Sequence, residues 1–422
     1  MGGKIMGNIN TGDTAFMLVS TALVFFMTPG LALFYGGMVK RKNVLSTIMA
    51  SFFIAGLASV LWVAVGYSLS FGKDIGGIIG NLDWTFFRNV LGEPNADYAG
   101  TIPHTLFAAF QMMFAIITPA LITGALVERM KFSSLVLFVA LWSLIVYYPM
   151  AHMMWGVDGL LRNLGAIDFA GGNVVHISSG ISGLVAAIIL GKRKGYGMTS
   201  HQPHNIPLVF IGAAMLWFGW FGFNAGSALG SGELAVHALM TTNTSAAMAL
   251  VSWMLVEKIT RGKPTMLGAA TGAVVGLVAI TPGAGFVPIW ASLIIGAIVS
   301  PICYFSMSII KPKFGYDDAL DAFGCHGIGG IWGGIATGLF AKTSINSAAQ
   351  WDGLVFGDTR LFVAQIISVA ATIVFSVVGT TVIMFVIKLI MKEIRVAPRE
   401  ESEGLDITQH GESAYPSFTG MD

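Results

Sequence analysis

Long apolar runs dominate the chain, and the charged residues between them mark their limits. A helix needs about 20 apolar residues to cross a hydrocarbon core of roughly 30 Å. Runs that qualify lie at approximately 14–39, 43–72, 103–127, 132–153, 169–191, 205–229, 234–256, 264–282, 286–310, 322–341 and 361–387. The stretch 264–310 holds no charged residue. As one helix it would be about 70 Å long at roughly 1.5 Å per residue, too long for one crossing. Thr281-Pro282-Gly283-Ala284-Gly285 reads as a turn in its middle. Splitting the run there predicts an all-α polytopic membrane protein with eleven transmembrane helices.

Loop charge tests this count independently. With the N-terminus outside, the inner loops collect Lys40, Arg41 and Lys42; Arg129 and Lys131; Lys192, Arg193 and Lys194; Lys258, Arg261 and Lys263; Lys311 and Lys313; and Lys388, Lys392, Arg395 and Arg399, which is 17 of the 23 Lys and Arg. The outer segments keep Lys4, Lys73, Arg88, Arg162, Lys342 and Arg360. Basic residues favour the cytoplasmic side, so the N-terminus is expected outside and the C-terminus inside. Omitting one helix would scramble the alternation. The first run has no basic region before it and reads as a retained helix. Trp84 and Tyr98, in the long outer loop 73–102, suit an interfacial position. The predicted division is a membrane domain, 1–387, and a polar cytoplasmic tail, 388–422.

Composition agrees with lipid as the solvent. Hydrophobic residues make up 55% and charged residues 11%, against roughly 25% charge in a soluble domain. The net charge of +1 implies no nucleic acid or other strongly charged partner. Cys303 and Cys325 lie in apolar runs and suggest neither a disulfide nor a metal site. The 53 glycines suggest close helix approach through small faces.

Helices one to five and six to ten form two blocks of five. An odd block enters on one side and leaves on the other, so a repeat of it is inverted, with helix eleven as an extra C-terminal helix. Inverted repeats place transport sites near the midplane. Helix five carries His176-Ile177-Ser178-Ser179-Gly180 and helix ten His326-Gly327-Ile328-Gly329-Gly330. An intramembrane histidine usually faces a cavity or a partner. Inversion can bring the two rings together, where a pair disfavours double protonation and can share one N–H···N bond. The plainer alternative is two packing histidines, each bonded to a carbonyl.

Asp168, ahead of helix five, can cap free N–H groups or bind a cation, and capping is favoured. Asp317, Asp318 and Asp321, at the inner entrance to helix ten, read as caps and loop contacts. Phe114, Trp155, Trp220, Phe223 and Ser227 make an aromatic and hydroxyl set able to hold a cation, by roughly 2 kcal/mol or more when desolvated. The alternative for them is core packing or an interface belt.

Several strings resemble the ammonium transporter family, related to the methylammonium permeases and Rhesus proteins. They include Gly30-Leu31-Ala32-Leu33-Phe34-Tyr35-Gly36-Gly37, Ala151-His152-Met153-Met154-Trp155-Gly156, Asp168-Phe169-Ala170-Gly171-Gly172-Asn173-Val174-Val175-His176-Ile177, Trp220-Phe221-Gly222-Phe223-Asn224-Ala225-Gly226-Ser227 and Phe323-Gly324-Cys325-His326-Gly327. The resemblance runs from helix one into the tail. It implies an external ammonium recruitment site at Phe114, Trp155 and Ser227, supported by Asp168. It also implies a phenylalanine gate at Phe114 and Phe223, and a pore lined by His176, His326 and Trp220. It further implies a homotrimer in the cell membrane, methylammonium as a possible second substrate, and a PII-type signal protein as the partner of the tail.

Potassium and ammonium are similar in size, so a sieve cannot separate them, but only ammonium donates hydrogen bonds and loses a proton. The expected mechanism is capture of the cation, deprotonation, and passage of ammonia through an apolar pore, with or without separate proton transfer. The rivals are an ammonium sensor acting through its tail and a neutral gas channel of the Rhesus type. No nucleophile–base pair or metal-ligand spacing stands out, so neither an enzyme nor a cofactor is expected.

Overall fold

The computed structural model describes residues 8–198 and 202–415. Lys4, counted above among the outer basic residues, lies outside them. Among the described residues, eleven helical segments follow one another: α1 (Thr11–Met38), α2 (Arg41–Phe71), α3 (His104–Leu126), α4 (Phe132–Trp142 continuing through Ser143–Tyr147 to Tyr148–Trp155), α5 (Gly172–Leu190), α6 (Ile206–Ala225), α7 (Glu233–Arg261), α8 (Met266–Ile280), α9 (Ile289–Phe314), α10 (Phe323–Gly327 continuing as Ile328–Phe340) and α11 (Arg360–Met391). Two short tail helices complete the order, α12 (Pro398–Glu403) and α13 (Leu405–His410). Among the described residues, nine segments are long and apolar enough to cross a membrane; α8 and α10 are shorter. The protein is a helical polytopic membrane protein. The break expected at 281–285 is present, because α8 stops at Ile280 and α9 starts at Ile289.

Local sequence explains the ends. Asn10 accepts from the N–H groups of Gly12 and Asp13 at the start of α1 (2.9 and 3.0 Å), and Thr265 caps α8 by accepting from Gly268 (2.9 Å). Gly262 closes α7 in the left-handed region at φ +80°.

Small faces set the helix crossings. A Cβ on Gly180 in α5 would overlap the Gly327 backbone in α10. In return, a Cβ on Gly330 in α10 would lie 3.1 Å from the Ile177 nitrogen and 3.0 Å from the His176 Cβ. Each glycine sits four residues after the histidine of its own helix. The two helices therefore cross at backbone distance beside the two imidazoles.

Six segments contain a π-helical turn, among them Gly172–Ile177 in α5, Phe221–Ala225 in α6 and Phe323–Gly327 in α10. A π turn inserts one residue into the helical ladder and redirects the side chains that follow.

The connecting segments sort onto two ends of the bundle. At one end, Lys40 donates its N–H to Glu128 (2.9 Å), while Arg193 pairs with Glu128 (2.9 Å) and Asp317 (2.8 Å). The tail joins them: Val396 donates to the Arg129 carbonyl (3.0 Å), Arg395 pairs with Glu401 (2.8 Å), and Leu405 donates to Asn43 (2.8 Å). At the other end, Asn10 bonds Thr101 (2.8 Å), Ser231 bonds Asp13 (2.8 Å), Leu160 bonds Gly77 (2.8 Å), Phe169 bonds Pro282 (3.0 Å) and Lys342 bonds Phe286 (2.9 Å).

In the 73–102 loop, Trp84 stacks on Tyr67 (5.4 Å, 16°) and Tyr98 on Phe107 (5.2 Å, 15°). One expectation changes. The last long helix runs to Met391 rather than ending near 387, and the segment after it is docked, with Ile394, Val396 and Leu405 buried.

Candidate functional site

At the end that loop charge predicts to face outside, a cavity of about 330 Å³, the outer cavity, is walled by Gln111, Phe114, Trp155, Asp168 and Ser227 among others. α3 presents Phe114, and the end of the α4 helix presents Trp155. Their rings meet edge to face at 5.9 Å. Ser227 follows the π turn of α6 and donates its hydroxyl hydrogen to the Phe223 carbonyl (2.8 Å). With its proton so engaged, Ser227 Oγ offers lone pairs to a donor in the cavity. Electron-rich faces beside a hydroxyl acceptor suit a small cation that donates hydrogen bonds.

Asp168 is a cap. Its carboxylate accepts the N–H groups of Gly171 (2.7 Å), Gly172 (2.6 Å), Asn173 (2.8 Å) and Val174 (3.3 Å), which opens α5. Its carbonyl accepts the Trp155 indole N–H (2.9 Å), and the Trp155 carbonyl accepts from Arg162 (2.9 Å). Asp318 repeats the device at the inner end, accepting from Ala322 (3.0 Å) and Phe323 (2.8 Å) ahead of the α10 π turn. Asp321 pairs with Lys311 (2.7 Å) and Asp317 with Arg193, so the three inner carboxylates serve loop contacts and caps.

Below the outer cavity, Phe114 and Phe223 lie ring on ring with centroids 4.3 Å apart at 37°, closing the way inward. Beyond them lies a small cavity of about 10 Å³, room for about one water-sized molecule. Its walls are apolar (Leu31, Ile117, Val175 and Val274 among them), apart from His176, His326 and Trp220. Trp220 is tied by its indole N–H to Thr281 (3.0 Å). The imidazoles are buried and nearly parallel, with centroids 5.3 Å apart at 15°. The N–H···N bond that the pair could share is not formed: among the described residues, both nitrogens of His176 and Nδ1 of His326 have no hydrogen-bond partner. The glycine crossing and the π turns place the rings side by side, and these three nitrogens are free to meet a solute. A further cavity of about 220 Å³ lies toward the other end of the bundle, with Phe34, Trp253, Glu257, Tyr304 and Cys325 in its walls.

Of the predicted site residues, Phe114, Trp155, Asp168 and Ser227 line the outer cavity, and Phe223, Trp220, His176 and His326 line the small one. Sequence reasoning missed Gln111 and the inner cavity. Gln111 is a polar residue in the apolar run 103–127, which is a usable signal. Trp253 and Tyr304 carry none, since a buried aromatic residue in a membrane helix is ordinary.

Comparison with known proteins follows this geometry. The family model of the Ammonium Transporter Family matches residues 15–415. An ammonium transporter of Bacillus subtilis (strain 168) is 56% identical over 404 residues, covering 96% of this chain and 98% of that one. The crystal structure of Saccharomyces cerevisiae Mep2 superposes with a TM-score of 0.89 at 35% identity, covering 98% of this chain and 93% of its own. A structure titled Sensor Amt Protein gives a TM-score of 0.86 at 29% identity, covering 94% of this chain and 98% of its own.

Proposed function

The chain belongs to the Ammonium Transporter Family, and from that premise we propose that it captures ammonium in the outer cavity and passes ammonia inward beside His176 and His326. As an ammonium transporter it is a multi-pass protein of the cell membrane, in a family of transporters rather than enzymes. One observation carries the mechanistic reading. An aromatic and hydroxyl cavity, a ring-on-ring contact and a small cavity of about 10 Å³ beside two buried imidazoles lie next to one another.

Phe114, Trp155 and Ser227 hold the cation, by roughly 2 kcal/mol or more for a desolvated aromatic contact. Asp168 supports them from behind through Trp155. The Phe114–Phe223 pair opens only transiently, and the apolar passage penalises a bare charge. Ammonium overcomes that penalty by giving up its proton; potassium has none to give. Ammonia then bonds to the unspent nitrogens of His176 and His326, with Trp220 as a wall, and the same nitrogens hand the proton on separately. The test is replacement of both histidines by apolar residues. It abolishes selectivity against potassium or stops transport; unchanged ammonium selectivity would remove the pair from the mechanism.

The same reading includes eleven crossings, the N-terminus outside and the C-terminus inside, with α1–α5 and α6–α10 as inverted halves and α11 added. Three observations support it: the sorting of alternate loops to opposite ends, the reciprocal Gly180 and Gly330 contacts, and the matching caps by Asp168 and Asp318 ahead of π turns that carry a histidine. We further propose methylammonium as a second substrate, a homotrimer, and the tail after 387 as a regulatory unit that meets a PII-type protein. A pull-down with purified PII, with and without residues 388–422, tests the last of these.

A second reading is favoured by the likeness to the sensor structure and by the docked tail. Here the outer site binds ammonium and the tail reports it. Ammonium binding without ammonium-dependent transport would select that reading.

A further inference from the structure

α11 contributes no residue to the outer cavity or the small one among the described residues. It nevertheless grips the loop behind the recruitment site. Gln365, buried in the second turn of this apolar helix, accepts the Ile167 N–H at Oε1 (2.9 Å). Its Nε2 donates to the Ile167 carbonyl (3.0 Å) and to the Gly334 carbonyl of α10 (3.3 Å). The amide thus pairs with Ile167 on both backbone groups, as a neighbouring strand would. One turn on, buried Ser368 accepts from the Asn173 side chain (3.0 Å) and donates to the Gln365 carbonyl (3.0 Å).

Ile167 and Asn173 bracket Asp168. Between them lie the carbonyl that holds the Trp155 indole and the capped N–H groups that open α5. A primary amide inside an apolar span is costly unless its donors and acceptors are used. Here both are spent on this turn and on α10. A leucine would fit the volume of Gln365 but leave two buried backbone groups of Ile167 unpaired.

We propose that Gln365 is a positioning residue for ammonium recruitment, fixing the Trp155 indole through Ile167 and Asp168. The inference rests on the reading of Trp155 as part of that site. Fixing the loop matters because the aromatic faces attract a cation only within about 6 Å, and a tilted indole loses the contact.

The test is the concentration dependence of ammonium-evoked current in proteoliposomes of the full chain. It compares wild type, Gln365→Leu, Trp155→Leu, the double variant, and Ile367→Ala on the exposed face of α11. Gln365→Leu is expected to raise the half-saturating ammonium concentration about tenfold, the equivalent of one lost hydrogen-bonded contact. Its saturating current stays within about twofold of wild type, because the pore is untouched. Ile367→Ala changes neither. The double variant is no worse than Trp155→Leu alone, because Gln365 acts through that indole. If Gln365→Leu does not assemble, Ser368→Ala supplies the same test with a smaller shift in the same direction.

An unchanged half-saturating concentration in Gln365→Leu, while Trp155→Leu raises it, overturns the inference and leaves the recruitment site standing. Additive losses in the double variant also overturn it. If Trp155→Leu itself has no effect, the recruitment reading fails and the inference with it.

Discussion

Ser227 and Trp155 bear on capture, and His176 and His326 on passage, so their variants separate in kinetics. Ser227→Leu fills the hydroxyl position with methyl groups and removes the acceptor, and is expected to raise the half-saturating ammonium concentration about tenfold or more, read from uptake curves. Phe223→Ala removes one ring of the closure; leak of potassium into proteoliposomes should rise while ammonium capture persists. At this scale much was legible. Intramembrane histidines and clustered aromatic residues stand out against an apolar background, and the ambiguity over Asp168 resolves through four backbone N–H bonds. Ring geometry was not legible. A shared N–H···N bond was one arrangement open to the pair, but the orientation of each imidazole depends on a π turn that leaves no mark on residue order. Gln365 was visible as a lone amide in an apolar run, but its partner lies 198 positions away in sequence.

Three of the π turns carry Phe223, His176 and His326, so the distortion of the helices and the chemistry coincide. A π turn keeps the apolar periodicity of its helix, so segment existence was readable and this irregularity was not. Apolar run length set most helix limits correctly. It fell short at the last helix, where α11 extends to Met391. The α5–α10 crossing gives an element-scale prediction. Gly180→Val pushes a branched side chain into the Gly327 backbone, which has nowhere to retreat. The expected cost is about 3 kcal/mol or more, seen as a lowered melting temperature in detergent and lost transport. The same change at Gly56, where a Cβ meets nothing, should be silent.

Across the whole molecule, loops and tail are joined at the inner end by a buried ionic cluster. Burial pushes the Glu128 carboxyl up, but the Arg193 charge and the Lys40 N–H hold it below its ordinary value. Burial likewise raises Asp317, and Arg193 more than compensates, so it too sits low. Carboxyls with depressed folded values contribute stability above their unfolded values of about 4 and lose it as pH falls through the lower folded ones. Acid unfolding of the wild type should therefore show a stabilising contribution lost below about pH 4, and Asp317→Asn should flatten that slope. Arg193→Ala leaves two buried carboxylates unpaired and is expected to cost about 3–5 kcal/mol near neutral pH, measured by thermal melting. The bias of loop charge anticipated which segments share an end, while the docking of the tail had no signal in its polar composition. The central claim, selective net ammonium conduction through one path, is tested most directly by current in proteoliposomes of the intact protein after an ammonium pulse, with an equal potassium pulse as control. The account predicts a transient current with ammonium and none with potassium. Equal currents for the two ions, or no ammonium current from a folded, ammonium-binding preparation, would contradict it.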